Sequence, residues 1–211
     1  MRYLLLIFLI LPGCTVLYAQ SQAQFHLSAG MKFLHETPLA HSGSVIPRAV
    51  GTMGGGVSWV NRRLMAGAEF SYSDGVKESD EWRTVLTGVN FNVLAGYRIH
   101  LSANTKVLLQ SGFGYGLQHA SVSDNHFMGT SPLNTAMYHN FIFTLPVSAT
   151  LQRLNSNGTF IAVRASYGIS IIPNEWRHMN HTITERFGAG ADGLNLQILV
   201  GGLFNLPSQP K

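Results

Sequence analysis

The sequence predicts an all-β protein: one eight-stranded antiparallel up-and-down transmembrane β-barrel. Three observations point there. Charged residues make up only 11% of the 211-residue chain, while hydrophobic residues make up 45% and aromatics 10%; an average soluble domain carries roughly 25% charge. Beyond residue 19 no apolar stretch approaches the roughly 20 residues a spanning helix needs. The chain shows instead eight runs of period-two alternation, the mark of a strand with two unlike faces. They cover residues 24–35, 50–60, 64–73, 84–100, 105–118, 140–153, 159–172 and 194–206. Most are 10–14 residues long, beyond the roughly 5–6 of a mean globular strand and enough for the roughly 9–11 of a tilted membrane strand.

Residues 1–19 form a segment of their own. Met1-Arg2 is a short basic start, Tyr3 to Leu11 is unbroken apolar sequence, and Ala19 precedes the polar run Gln20-Ser21-Gln22. This is the layout of a secretory signal peptide, with cleavage expected after Ala19. Pro12-Gly13 interrupts the apolar run too early for a transmembrane helix. Leu11-Pro12-Gly13-Cys14 looks like a lipobox, but Pro12 is unusual there and apolar sequence resumes after Cys14, so lipidation is not expected. With Cys14 removed, the barrel domain, residues 20–211, has no cysteine, which leaves neither a disulfide framework nor a thiol catalyst.

The two faces of the runs differ in kind. One carries Phe25, Leu27, Ala29, Met31 and Phe33 in the first run and Val89, Phe91, Val93, Ala95 and Tyr97 in the fourth. The sixth, seventh and eighth repeat the pattern from Phe141, Ile161 and Leu194 onward, and no charged residue falls on this face in any run. The other face is small or polar: Lys32, Glu69, Asn90, Asn92, Arg98, Gln110, Ser148, Thr150, Arg164, Gln197, with glycines at 54, 56, 112, 114 and 116. A soluble lipid carrier would place its charges outside. An apolar exterior around a polar interior is the membrane arrangement, and backbone in lipid is satisfied only when strands close into a barrel.

The connections alternate. Short turns join runs two and three (Asn61-Arg62-Arg63), four and five (Leu101 to Asn104), and six and seven (Asn155-Ser156-Asn157-Gly158, with a hairpin-favouring Asn-Gly pair). Long loops at 36–49, 74–83, 119–139 and 173–193 alternate with them, and these are expected to be exposed and mobile. In an outer membrane, long loops face outside and short turns face the periplasm, so both chain ends are expected in the periplasm. Charge sorts the same way. Nine of the ten acids lie in the long loops, whereas Arg62, Arg63, Lys106 and Arg153 flank the short turns without an acid. Trp59, Tyr72, Tyr97, Tyr115, Tyr167 and Phe204 suit interfacial girdles.

The junction Ala19-Gln20-Ser21-Gln22-Ala23-Gln24, the run Gly112-Phe113-Gly114-Tyr115-Gly116 and Leu145-Pro146-Val147 within the sixth run add a family likeness. The mature chain resembles the eight-stranded outer-membrane β-barrels common in Bacteroidota, the porin-family or OmpA/OmpX-like barrels of Gram-negative envelopes. The resemblance implies an integral outer-membrane protein whose partners are membrane lipids, lipopolysaccharide and the barrel-assembly machinery. One departure is the end, where Asn205 to Lys211 comes after Phe204 instead of a terminal aromatic. No peptidoglycan-binding domain is present beyond it, so tethering is not expected.

Inside the barrel, Lys32, Glu69, Arg98 and Arg164 form the expected polar network. Glu69 is the only acid within the eight runs, and a lone carboxylate in a narrow lumen is costly unless paired. Arg164 or Lys32 is the expected partner, ahead of Arg98 near the rim. No catalytic, metal or cofactor site is expected. The loop 173–193 holds Glu175, His178, His181, Thr182 and Glu185, but it lacks the His-x-Ser-Asn run of lipid A deacylases. Seven of the nine histidines lie in or beside long loops, yet without ligand spacing. A net charge of +4 is too small and scattered for a nucleic-acid surface. The expected role is non-enzymatic: envelope structure and surface contact through four loops. Behind it stand small-solute passage, an accessory barrel of a secretion machine, and a lipid A-modifying enzyme; an extracellular or envelope protein partner stays unspecified.

Overall fold

A computed structural model describes residues 21–34, 38–39, 44–124, 136–171, 176–178, 184–185 and 193–205. The leader with Cys14, and with it the cleavage site, lies outside the described residues, as do part of the first long loop and most of the third and fourth.

Eight long strands make the architecture: β1 (Ser21–Leu34), β2 (Ala49–Asn61), β3 (Leu64–Glu78), β4 (Trp82–His100), β5 (Thr105–Asp124), β6 (Ala136–Leu154), β7 (Thr159–Ser170) and β8 (Gly193–Asn205). Each pairs antiparallel with its neighbours in sequence, and β1 pairs with β8 from Gln22↔Asn205 to Leu34↔Gly193, closing the barrel. Closure removes every free edge, the condition for strands to cross lipid. In β6, Pro146 has no N–H to give the ladder. The pairing of β5 with β6 is continuous up to Ser111↔Val147 and resumes at Gly114↔Thr144, so the register is kept across the gap.

Alternation appears as alternating exposure. On β1, Leu27 and Met31 point outward while His26 is buried; on β5, Phe113 is 70% exposed and Gln110 only 4%. Thirty-four large hydrophobic side chains are exposed over the described residues. In water that belt would far exceed the roughly 300–600 Å² apolar patch of a typical soluble protein; against acyl chains it costs nothing. Aromatics pair along it, Phe25 stacked on Phe204 and Tyr115 tilted against Phe143, both at 5.1 Å between centroids.

The strands differ from the sequence reading mainly at the long-loop end. The segment 74–83 is mostly strand and not open loop: β3 continues to Glu78 and β4 starts at Trp82, paired in register down to Glu78↔Arg83. The turn is held by Ser79 N–H donating to the Trp82 carbonyl and Trp82 N–H donating to Ser79 Oγ, at 2.8 and 3.0 Å. Likewise β5 reaches Asp124 and β6 starts at Ala136. Asp74, Glu78 and Asp124 therefore join Glu69 as strand residues. The alternation fades there because the inner positions of β3 are Ser73, Gly75 and Lys77, with Gly75 leaving room for Val50, while its outer positions include Asp74 and Glu78; the apolar packing at that level comes from other elements such as Leu86 of β4. Within the other two long loops, short antiparallel pairs form between Pro38–Leu39 and Ser44–Val45 and between Trp176–His178 and Thr184–Glu185.

Candidate functional site

The lumen is built in three levels along the barrel axis. The middle level is polar. Glu69 on β3 and Arg164 on β7 stand four strands apart in a ring of eight, on opposite walls. Arg164 Nη1 meets Glu69 Oε2 at 2.7 Å, across the lumen. The guanidinium is fixed at both other corners: Nε donates to Thr150 Oγ1 at 3.1 Å and Nη2 to Gln110 Oε1 at 3.4 Å. His26 Nε2 on β1 approaches the other carboxylate oxygen at 3.3 Å, close enough for an ionic contact but not aligned as a hydrogen bond. This reach over β2 depends on Gly56. A Cβ there would lie 2.7 Å from Glu69 Cγ and 2.8 Å from His26 Cε1, closer than real carbon contacts allow.

Beside the pair lies a cavity of about 50 Å³ lined by His26, Glu69, Ser148, Arg164, Ser166 and Asn195. At roughly 10–15 Å³ per water that is room for about three to five waters, too little for a substrate.

The level toward the long loops is apolar. Leu34, Ile46, Val50, Leu86, Ala120, Val122, Tyr138 and Trp176 pack into one buried cluster. Ile46 and Trp176 come from the loop segments and are fully buried. Trp176 is carried in by pairing of its segment with β6, through Arg177↔His139 and His178↔Tyr138. The lumen is thus stoppered on that side.

The level toward the short turns is basic. Arg98 Nε and Nη2 both donate to the Arg62 carbonyl, at 2.9 and 2.6 Å. Arg62 has a left-handed φ of 38° in the two-residue turn between β2 and β3, a conformation that costs an L-residue roughly 1–2 kcal/mol; Arg98 clamps it. Arg63 Nη1 donates to the Tyr97 hydroxyl at 3.1 Å.

The expected interior group therefore divides. Glu69 and Arg164 meet. Arg98 is six residues from the level of Glu69 along the β3–β4 ladder, about 20 Å at 3.3 Å per residue. Lys32 is six residues away in the other direction, through Lys32↔Val50 and Gly56↔Glu69. The parity that placed all four inward carries no height, so residues of one face were grouped that the register separates. His26 was missed because histidines were weighed in loops; its place between Phe25 and Leu27 was the available signal. Among the described residues, no cluster of three metal-ligating side chains occurs.

No family model and no curated protein matches the chain. Solved structures do. Ail, the attachment invasion locus protein of Yersinia pestis, superposes with a TM-score of 0.52 over 88% of this chain and 99% of its own, at 12% identity. The chain has the fold of the outer-membrane β-barrels. A major outer membrane protein from Thermus thermophilus gives the same TM-score and coverages at 7% identity. At such identities it is the barrel that is shared.

Proposed function

We propose that the protein is a non-enzymatic integral outer-membrane barrel of a Gram-negative, Bacteroidota-type envelope, serving structure and surface contact through its long-loop end. The observation that carries this reading is the pairing of an apolar outer belt with a stoppered lumen. The belt asks for lipid all round. The Trp176–Ile46 cluster and the Glu69–Arg164 strut fill the interior, as eight strands generally require, and so disfavour the second reading, solute passage. Lipopolysaccharide and outer-membrane lipids would be its surroundings, the barrel-assembly machinery would insert it, and both chain ends would be periplasmic. Roles as a secretion accessory or a lipid A-modifying enzyme draw no support from a particular residue.

The test is fractionation followed by electrophoresis and bilayer recording. The folded protein should partition with outer membranes, need detergent, and change mobility on boiling. In planar bilayers it should show no steady conductance. A soluble periplasmic monomer would sink the membrane reading, and stable channels would restore solute passage.

A further inference from the structure

The short-turn end holds a charge problem that the protein does not solve by itself. Arg98 and Lys106 are 7% and 9% exposed and lie on one face of adjacent strands, since His100 pairs with Lys106 and Arg98 with Leu108. His100 and Lys106 are therefore directly opposed, with Cβ atoms roughly 5 Å apart, and Arg98 is the next inward residue of its strand. Arg62 and Arg63 enter from the neighbouring turn through the Arg98 clamp. Among the described residues no acidic side chain answers them: every described acid but Glu69 belongs to the opposite end of the barrel, and Glu69 is committed to Arg164 and His26. Among the described residues, Lys106 and His100 have no ion pair or hydrogen bond from their side chains. Burying like charges together without a counter-ion is unfavourable.

We propose that this rim binds a phosphate-bearing anion, with Lys106 and Arg62 as its principal cationic contacts and His100 beside them. Phosphate suits the donors, since guanidinium and ammonium groups both bind its oxygens. The position suits a lipid headgroup reaching the barrel mouth: Tyr97, bonded to Arg63, marks the interface at this end of the apolar belt, and Arg62 is exposed in the turn beside it, while Lys106 faces inward behind it. Free phosphate offers the same chemistry.

The experiment is calorimetric titration of the folded full chain in uncharged maltoside micelles. The probes are dihexanoyl phosphatidylglycerol, inorganic phosphate, and a neutral dihexanoylglycerol. The phosphatidylglycerol should bind, and Lys106→Gln and Arg62→Gln should each weaken it about tenfold or more, while Arg83→Gln at the far end leaves it unchanged. Binding of the lipid alone identifies a headgroup site; binding of inorganic phosphate with similar strength identifies a site for the free anion. The proposal is overturned if the phosphatidylglycerol binds no better than the neutral lipid, or if Arg83→Gln weakens it as much as the rim variants. Unheated electrophoresis verifies folding of each variant. Arg62, whose side chain is exposed in the turn, keeps the test available if Lys106→Gln fails to insert.

Discussion

At the residue scale the decisive contact is Glu69 with Arg164, because both ends are buried and each is the other's charge partner. Removing one member of a buried pair costs about 3–5 kcal/mol, largely from the charge left behind. Glu69→Ala is therefore expected to lower the urea midpoint of the detergent-folded barrel clearly. Glu78→Ala breaks only the exposed Glu78–Arg83 contact, a pair type worth about 0–1 kcal/mol, and should leave the midpoint nearly unchanged. The double variant Glu69→Ala/Arg164→Ala should recover part of the loss, with a coupling of about 0.5–3 kcal/mol. Strict additivity would mean that the strut contributes nothing. Gly56→Ala should resemble Glu69→Ala, since its methyl group would occupy the gap through which His26 and Glu69 meet. Strand parity alone turned both members of the pair inward. The part of Gly56 could not be read from parity, because a glycine's neighbours across two strands are a matter of register.

At the scale of elements, the barrel core was legible and the protruding hairpins were not. Alternation records a contrast between two environments. Inside the apolar belt that contrast is lipid against lumen, and the runs from Phe141 and from Leu194 show it plainly. Above Tyr72, β3 continues as a ladder whose own inner positions are Ser73, Gly75 and Lys77, the apolar packing there being supplied by neighbours such as Val50 and Leu86, so Asp74, Lys77 and Glu78 look like loop. Amide exchange separates the two readings. Gly75 to Lys77 should exchange slowly, as ladder amides do, with fast exchange confined to the neighbourhood of Asp80 and Glu81. Uniformly fast exchange from Asp74 to Arg83 would return the segment to a mobile loop. The same logic explains Trp176: nothing in a 173–193 loop sequence announces that its tryptophan folds back to plug the lumen, because that depends on pairing with Tyr138 and His139.

At the scale of the molecule, the two ends of the barrel are electrically opposite over the described residues, and β1 begins and β8 ends at the basic one, where Gln22 and Asn205 are paired and share a 3.0 Å side-chain hydrogen bond. Among the described residues, the long-loop end carries Asp74, Glu78, Asp80, Glu81, Asp124 and Glu185, and the short-turn end carries Arg62, Arg63, Arg98, Lys106 and Arg153 without an acid. Outer-membrane barrels present long loops to the exterior and short turns to the periplasm, which sets an orientation that single-cysteine labelling can check. Cys14 is expected to leave with the leader, which makes an introduced thiol the only one in the mature chain. Asp80 sits at the tip of the β3–β4 hairpin and Ala103 in the turn between β4 and β5, and both are exposed. With a membrane-impermeant maleimide on intact cells, Asp80→Cys should label, and Ala103→Cys should label only after the envelope is opened. The reverse pattern would invert the barrel, and would turn its basic rim, with the proposed phosphate contact, toward the cell surface.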